Sequence, residues 1–284
     1  MTTLGILHPG SMGAAVAAQA RLCGAEVLWC PAGRSASTKE RGERYGLTPV
    51  SGLAEMVARA DIILSLCPPA VAEDVARSVA AHSYARIYVD GNAVSPATMA
   101  SISAIMLTHG ASVVDGSVIG SPPSASKSTR LYLSGPSKAL RPVAHVFAGS
   151  AVQAHLLSGG IGRASALKLS YSSYQKASRV LAAVSYALAR DYGVEAELLD
   201  IAQGRTTSYL AETAYIPKLA ARSWRWGPEM KAVAHALEEA GLPSDLAVAS
   251  AEVMSRWDSL KDSSLELYQV LDQLHASSDN EPAQ

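Results

Sequence analysis

The chain is predicted to be an α/β protein, with an N-terminal doubly wound, mainly parallel sheet and an all-α C-terminal domain. Short apolar runs alternate with helical stretches as far as about residue 157, which is the pattern of βαβ units. A glycine-bearing turn separates the first of those runs from an Ala-rich helix. Beyond residue 160 the strand rhythm stops and only helical stretches remain. At 284 residues the chain exceeds the usual single-domain size. The change of rhythm divides it into residues 1–160, residues 161–275 and a polar, flexible tail over 276–284.

Leu4–Leu7, Glu26–Trp29, Ile62–Leu66, Ile87–Val89, Val113–Val114 and Leu131–Leu133 read as strands. They are almost continuously apolar, as strands covered on both faces are. Ser11–Cys23, Ala70–Ala81 and Pro96–His109 suit the helices between them. After Gly159-Gly160-Ile161-Gly162, the stretch Arg163–Arg190 has no Pro or Gly and is apolar on nearly every side. It predicts a helix of about 28 residues, roughly 42 Å long, closed by Gly193 as a left-handed C-cap. Such a helix should be buried all round, running between domains or between subunits of a dimer. Further helices are expected over Glu195–Gln203, Thr207–Ala214, Pro228–Ala240, Pro243–Trp257 and Ser264–His275.

Composition excludes several classes of function. A formal charge of −1 gives no field that would attract nucleic acid or an anionic membrane. No apolar run reaches the roughly 18 residues that span a bilayer. Met1-Thr2-Thr3 lacks the basic start of a secretion signal. Cys23, Cys30 and Cys67 have neither metal-ligand spacing nor an even count. They suit a reducing cytoplasm, with no metal site.

The first strand leads into His8-Pro9-Gly10-Ser11-Met12-Gly13, a G-x-G-x-x-G fingerprint with His8 in the first glycine position. Gly10 lets the backbone approach a pyrophosphate, and Gly13 allows close helix–strand packing. The helix N-terminus behind them offers N–H donors and partial positive charge to phosphates. Because His8 precedes a proline it is biased toward extended backbone, so this turn should differ slightly from the all-glycine version. No G-K-[ST] ending follows, which removes the P-loop alternative. A protein that binds NAD carries Asp or Glu about 20 residues beyond the glycines. Here the second strand runs instead into Pro31-Ala32-Gly33-Arg34-Ser35. Arg34 suits a 2′-phosphate, with Ser35 as a donor and Thr38 or Lys39 nearby, so the cofactor read from this loop is NADP(H). The alternative is that Arg34 and Lys39 are ordinary surface charges.

Ligands of an open α/β sheet lie beyond the carboxyl ends of its strands. Cys67-Pro68-Pro69 is expected to wall the adenosine and ribose there, with Cys67 lacking a partner that would make it a nucleophile. Asn92, in Asp90-Gly91-Asn92-Ala93, is either a ligand of the nicotinamide ribose or substrate, or a turn residue. Asp115-Gly116-Ser117-Val118-Ile119-Gly120-Ser121 is expected to leave the next strand end at the same edge.

With these residues in place the chain resembles the β-hydroxyacid dehydrogenase superfamily, which includes 6-phosphogluconate dehydrogenase and the imine reductases. It is most similar to a branch marked by a "phosphogluconate dehydrogenase, NAD-binding, putative C-terminal" domain. The resemblance spans nearly the whole chain and rests on the phosphate turn, on Asp115–Gly120 and on Gly162-Arg163-Ala164-Ser165-Ala166-Leu167-Lys168. The last segment resembles the family's G-x-G-x-x-x-K motif, with Ala164 at the second glycine. The resemblance therefore implies that Lys168 is the general acid/base for the substrate oxygen. A lysine at the start of a buried helix has its ammonium form disfavoured by desolvation, which suits that exchange; the alternative is a solvent-facing lysine.

Three departures bear on the substrate. Where the family has Ser-Gly-Gly for a substrate carboxylate, this chain has Ile119-Gly120-Ser121. Ser172 stands where the family has Asn, and Pro228-Glu229 where it has Lys-Asp. With Tyr171, Tyr174, Trp224 and Trp226, these changes point to a larger or more aromatic substrate than a small hydroxy acid. Reduction of a carbonyl is the first expectation. Imine reduction is the rival, with Tyr171, Tyr174 or Glu229 as proton donor, and a non-catalytic NADP(H)-binding protein is the third. The resemblance also implies a homodimer formed through the helical domain, with the long helix at the interface.

Overall fold

A computed structural model describes residues 1–204, 209, 212–239 and 241–275. The side chains of residues 176, 179, 180, 182–184, 229, 232, 233, 235, 236 and 239 lie outside that description. The tail over 276–284 and half of the helix expected at Thr207–Ala214 also fall outside it. By internal contacts the chain divides into two units, Met1–Ser172 and Ser173–Gln284.

The first unit is built on one eight-stranded sheet. Its strands are β1 (Thr3–Ile6), β2 (Glu26–Trp29), β3 (Thr48–Pro49), β4 (Ile62–Ser65), β5 (Ile87–Asp90), β6 (Ser112–Ile119), β7 (Thr129–Ser134) and β8 (Val152–Leu156). They lie in the order β3-β2-β1-β4-β5-β6-β7-β8. Only β6 and β7 pair antiparallel. Between the strands run α1 (Ser11–Leu22), α2 (Ala36–Arg44), α3 (Leu53–Arg59), α4 (Ala72–Ala80), α5 (Pro96–Leu107) and α6 (Ser137–His145). The chain winds outward from β1 to β3, then returns to pair β4 with the other edge of β1. That reversal opens a crevice beyond the carboxyl ends of β1 and β4.

Successive strand residues face opposite sides of the sheet, so each strand feeds two cores. Leu4, Ile6, Val27, Trp29, Ile62 and Leu64 pack on one side, where Val16, Ala17 and Ala20 of α1 cover them. Leu7, Leu28, Ile63, Tyr88 and Val113 pack on the other, under Met56 of α3, Ala76 and Val79 of α4, and Met99, Ile102 and Met106 of α5. This double burial explains the near-continuous apolar runs and the doubly wound architecture they predicted.

Several local expectations are corrected. β6 does not stop at Val114 but continues through Asp115 to Ile119, because residues 115–119 pair with β7. The predicted loop residues Asp115 and Ser117 are thus buried strand residues. Elements β3, β8, α2, α3 and α6 were not anticipated. β3 has two residues, β8 is largely exposed, and α6 carries Pro142 inside it. In α2 the only buried residue is Gly42, so no apolar stripe announces the helix.

Helix α7 (Arg163–Asp191) starts in the first unit and continues into the second. It is not buried all round: Leu167, Tyr171, Leu181 and Tyr186 are exposed in the single chain. The second unit holds the remainder of α7 with α8 (Glu195–Gln203), α9 (Ile216–Ala220), α10 (Ser223–Glu239), α11 (Asp245–Ser255) and α12 (Leu267–Asp272). α10 begins at Ser223 rather than at Pro228, which it contains. Thr213–Tyr215 forms a 3₁₀ turn, and α12 is shorter than the helix expected at Ser264–His275. Ala220, Trp257, Leu260 and Val270 form one small core, while Ala234, Leu237 and Ala247 form another.

Candidate functional site

The turn after β1 sits in the crevice where the strand order reverses. Gly10 is the N-cap of α1 in ordinary extended backbone (φ −66°, ψ −171°), and no side chain caps that helix. A Cβ on Gly13 would run into the carbonyl oxygen of His8, so glycine is what lets the first turn of α1 close on the end of β1. A Cβ on Gly10 would meet no protein atom, so any demand for glycine there comes from a ligand. The Gly10 N–H donates to the His8 carbonyl at 2.8 Å, folding the chain tightly over Pro9. Pro9 is buried, Met12 packs against the sheet core and Ser11 is exposed. His8 is half-buried, and its Nδ1 is buried with no hydrogen-bond partner. Burial, and then the positive charge of Arg34, push its pKa down to about 4.

Beyond β2, the Arg34 N–H closes a turn on the Pro31 carbonyl at 3.2 Å. Gly33 takes φ +70°, the left-handed conformation that glycine adopts without strain. The turn aims Arg34 back at the phosphate turn, where its Nη2 donates to the Leu7 carbonyl at 3.1 Å. Its Nε is buried and without a partner. Ser35 Oγ lies 3.2 Å from Ser37 Oγ and 3.1 Å from Thr38 Oγ1, gathering three hydroxyls at the start of α2. Lys39 is exposed. A second guanidinium joins the group: Arg41 Nη2 donates to Thr38 Oγ1 at 2.9 Å and its Nε to the Pro9 carbonyl at 3.4 Å. Arg41 reaches so far because α2 lies hard on β2. A Cβ on Gly42 would overlap the indole of buried Trp29.

At the ends of β4 and β5 the polar groups are turned inward. Asn92 is only 3% exposed. Its Nδ2 donates to Asp90 Oδ2 at 2.9 Å and Ser65 Oγ at 3.2 Å, while its Oδ1 accepts from the Cys67 N–H at 2.6 Å. Of the two roles expected for Asn92, the geometry is that of the turn residue, a brace that ties β4 to β5. Burial pushes the Asp90 carboxyl up to about 6, with Asp115 adding to the rise. Burial also raises the Cys67 thiol, as expected of a cysteine that is not a nucleophile. Pro68 and Pro69 are exposed at the same edge, where Pro69–Val71 forms a 3₁₀ turn before α4.

The base of α7 is pinned to the sheet by Asp115, which has no exposed surface. Its Oδ2 accepts from the Gly162 N–H (2.9 Å), the Ser165 N–H (3.1 Å) and Ser134 Oγ (3.0 Å). Its Oδ1 accepts from Ser165 Oγ at 2.7 Å. A carboxylate thus caps the positive end of the helix from another part of the chain. Ser134 Oγ also accepts from the Ala164 N–H at 3.2 Å, and Ser117 Oγ donates to the Ala164 carbonyl at 2.8 Å. Three residues on from Ser165, half-buried Lys168 directs Nζ to the Val118 carbonyl of β6 at 2.7 Å. Ile119, the next residue of β6, is half-buried. Gly120 follows at φ +137°, and the carbonyl of exposed Ser121 accepts from Thr129 Oγ1. Tyr171 is exposed and Ser172 half-buried.

The other expected substrate residues belong to the second unit. Tyr174 is half-buried. Trp226 stacks on Tyr215 with centroids 6.5 Å apart, and Trp224 lies under the Lys261 ammonium at 4.3 Å. The side chain of Glu229 falls outside the described residues. Among the described residues no cluster of His, Cys, Asp or Glu is arranged to hold a metal ion, and no helix is long and apolar enough to cross a membrane.

Sequence reasoning missed Arg41 altogether and missed the role of Asp115 as the cap of α7. Arg41 carried a usable signal: Ser35 can start a helix, and Thr38 and Arg41 then share one face. Asp115 carried none, because its partners Gly162 and Ser165 are 47 and 50 residues away.

This sheet, with a glycine turn and an uncapped helix at its switch point, defines a dinucleotide-binding α/β protein. Residues 3–159 match the NAD binding domain of 6-phosphogluconate dehydrogenase, and the chain belongs to that family. Residues 189–257 match a domain of unknown function, DUF1932. A 28.5 kDa uncharacterized protein of Methanothermus fervidus, encoded in a 7S RNA 5′ region, is 28% identical over 176 residues. That match spans 62% of this chain and 66% of the relative, just under two thirds of its length. Two solved structures share the fold. One is a reductive aminase from Aspergillus terreus in complex with NADPH and ethyl levulinate (TM-score 0.76, 18% identity, 97% of this chain and 100% of that one). The other is 3-hydroxyisobutyrate dehydrogenase of Mycobacterium tuberculosis with L-serine (TM-score 0.62, 21% identity, 97% and 100%).

Proposed function

We propose that the protein is an NADP(H)-dependent oxidoreductase that moves a hydride between nicotinamide and a carbonyl/alcohol substrate, with Lys168 as general acid/base. The observation that carries the cofactor reading is the pair of guanidiniums flanking the phosphate turn. Arg34 holds the Leu7 carbonyl and Arg41 the Pro9 carbonyl, with three hydroxyls gathered at the start of α2 and no carboxylate at the tip of β2. Such a group suits a phosphate dianion and lacks the carboxylate that usually accepts from the ribose hydroxyls of NAD. The chain fits the dinucleotide on its own evidence: Gly13 seats α1, the space over Gly10 is open, and two buried nitrogens at the turn await partners.

When bound, the nicotinamide supplies or receives the hydride. The protein has the rest of the work. Gly10 and the N-terminus of α1 hold the pyrophosphate, and Cys67-Pro68-Pro69 shapes the edge beside it. Lys168 gives a proton to the substrate oxygen during reduction and takes it back during oxidation. The Val118 carbonyl orients Nζ, and Asp115 sets the position of the turn that carries the lysine.

Imine reduction on the same site is the second reading. It is favoured by Ile119, an apolar half-buried side chain at the position where the resemblance calls for a carboxylate-binding serine. We further read the protein as a cytoplasmic homodimer. Leu181 and Tyr186 of α7 are 44% and 40% exposed, and Leu181 lines an apolar cavity of about 520 Å³ with Leu188, Tyr192, Leu198 and Leu246.

The testing experiment is a fluorescence titration with NADPH and with NADH, followed by ketone and cyclic-imine panels. Tighter NADPH binding that Arg34→Ala weakens supports the reading. Preference for NADH overturns the 2′-phosphate assignment, and binding of neither overturns the enzyme assignment. Turnover of imines alone selects the second reading. A monomer by light scattering removes the dimer.

A further inference from the structure

We infer that His8 is a specificity-determining residue for the 2′-phosphate, neutral in the free protein and taking up a proton when a phosphate dianion settles against Arg34. The inference rests on the NADP(H) reading above. Its starting point is a pair of buried, unpartnered nitrogens at one turn, His8 Nδ1 and Arg34 Nε. The two side chains lie close enough for the Arg34 charge to act on the imidazole, and Arg34 Nη2 is bound to the carbonyl of Leu7, the residue just before His8.

The charge that acts on His8 is positive. Arg34 faces it from the β2–α2 connection, and Arg41 of α2 reaches the carbonyl of Pro9, the residue just after it. The end of β4 brings Cys67 as its only titratable side chain, and α1 presents the partial positive charge of its N-terminus. Burial and Arg34 are what act on the His8 imidazole, and no Asp or Glu occurs in residues 1–25 or 27–39. An imidazole in such a place stays neutral, in line with its lowered pKa of about 4.

A phosphate dianion beside Arg34 reverses this sign. It screens the guanidinium that opposed protonation and adds negative charge at short range, which raises a histidine pKa by roughly 1–3 units. If the bound-state value is about 6, some half of the sites hold the extra proton at pH 6. Linkage then makes the contribution of His8 to binding grow as the pH falls, by about tenfold between pH 7 and pH 5, while the protonation of the 2′-phosphate near pH 6 works in the opposite sense. A nucleotide without the 2′-phosphate leaves Arg34 uncompensated and lacks most of this gain. The share of the preference for the phosphorylated form that His8 supplies is therefore largest on the acid side of neutrality. In this role His8 does what the first glycine of an ordinary fingerprint cannot.

The test is calorimetric titration with NADPH and NADH at pH 6, in buffers of different ionisation enthalpy. The slope of heat against buffer enthalpy counts the protons taken up. The 2′-phosphate itself titrates near pH 6 and releases protons when clamped by arginine, so wild type is compared with His8→Asn and with His8→Gly. The expected result is about half a proton more per NADPH in wild type than in either variant, with a much smaller difference for NADH. Equal uptake in wild type and both variants overturns the inference, as does an equal difference with the two nucleotides. At pH 8, where His8 is neutral throughout, the NADPH-to-NADH affinity ratio reports the cofactor reading alone. Loss of preference there refutes that reading; preference at pH 8 without the proton difference refutes only the role of His8.

Discussion

Replacing Asp115 by alanine should destabilise the first unit by roughly 3–5 kcal/mol, the usual cost of breaking a buried charged network by removing one partner. The figure follows from the bonds that are lost. Asp115 accepts two backbone N–H groups and two hydroxyls, and alanine leaves the Gly162 and Ser165 N–H groups buried at the first turn of α7. A buried donor left unmade costs about 1–3 kcal/mol, and losing a charged cap at a helix N-terminus costs about another 1. Relief from burying the carboxylate offsets part of this sum. Asp115→Asn keeps one acceptor oxygen and should lose about half as much. Urea unfolding measures the change; with a slope of about 2 kcal/mol per molar urea, the midpoint should fall by roughly 2 M in the alanine variant. Hydrogen exchange supplies the local readout, because the amides of residues 162–168 should lose protection before those of β1 and β4 do. A variant within about 0.5 kcal/mol of wild type, with α7 still protected, would refute the reasoning.

Three further outcomes are expected. Arg41→Ala should weaken NADPH binding roughly 10- to 100-fold, the worth of a charge-assisted bond, and leave NADH unaffected; an equal loss for both nucleotides in a fluorescence titration excludes a 2′-phosphate role. Lys168→Ala should cut turnover about a hundred- to ten-thousandfold and leave NADPH affinity unchanged, and full activity in a substrate assay removes Lys168 as the acid/base. The third concerns pH. Asp90 has its pKa raised from 3.8 to about 6, so its contribution to stability is fully present below pH 3.8 and lost as the pH rises through 6. That loss is roughly 3 kcal/mol. His8, lowered from 6.5 to about 4, acts in the opposite sense, adding stability as the pH rises from 4 to 6.5. Because both chains share the His8 contribution, the stability of Asp90→Asn relative to wild type should rise steadily from pH 4 to pH 6.5, and a pH-independent difference would count against the burial of Asp90 as its cause.

Sequence by itself determined the architecture, and the reason is periodicity. Strands covered on both faces must be apolar throughout, and the helices between them must show a face, so the alternation from Leu4 to Leu133 reads directly as a doubly wound sheet. The phosphate turn was equally legible, since Gly13 answers a contact with His8, only five residues earlier, in a fixed local order just beyond β1. Only the tertiary structure decided how the site is assembled. Asp90 and Asn92 look like turn residues in the sequence, and their role as a buried brace depends on Ser65 and Cys67 of the adjacent strand end. Helix α2 has no apolar stripe to betray it, and Arg41 reaches the phosphate turn only because Gly42 lets that helix rest on Trp29. The span Asp115–Ile119 becomes a strand because β7 pairs with it, and its carboxylate finds α7 across nearly fifty residues of chain. Local sequence carries propensity and pattern, whereas a buried polar group takes its meaning from partners that only the folded chain brings within hydrogen-bonding distance.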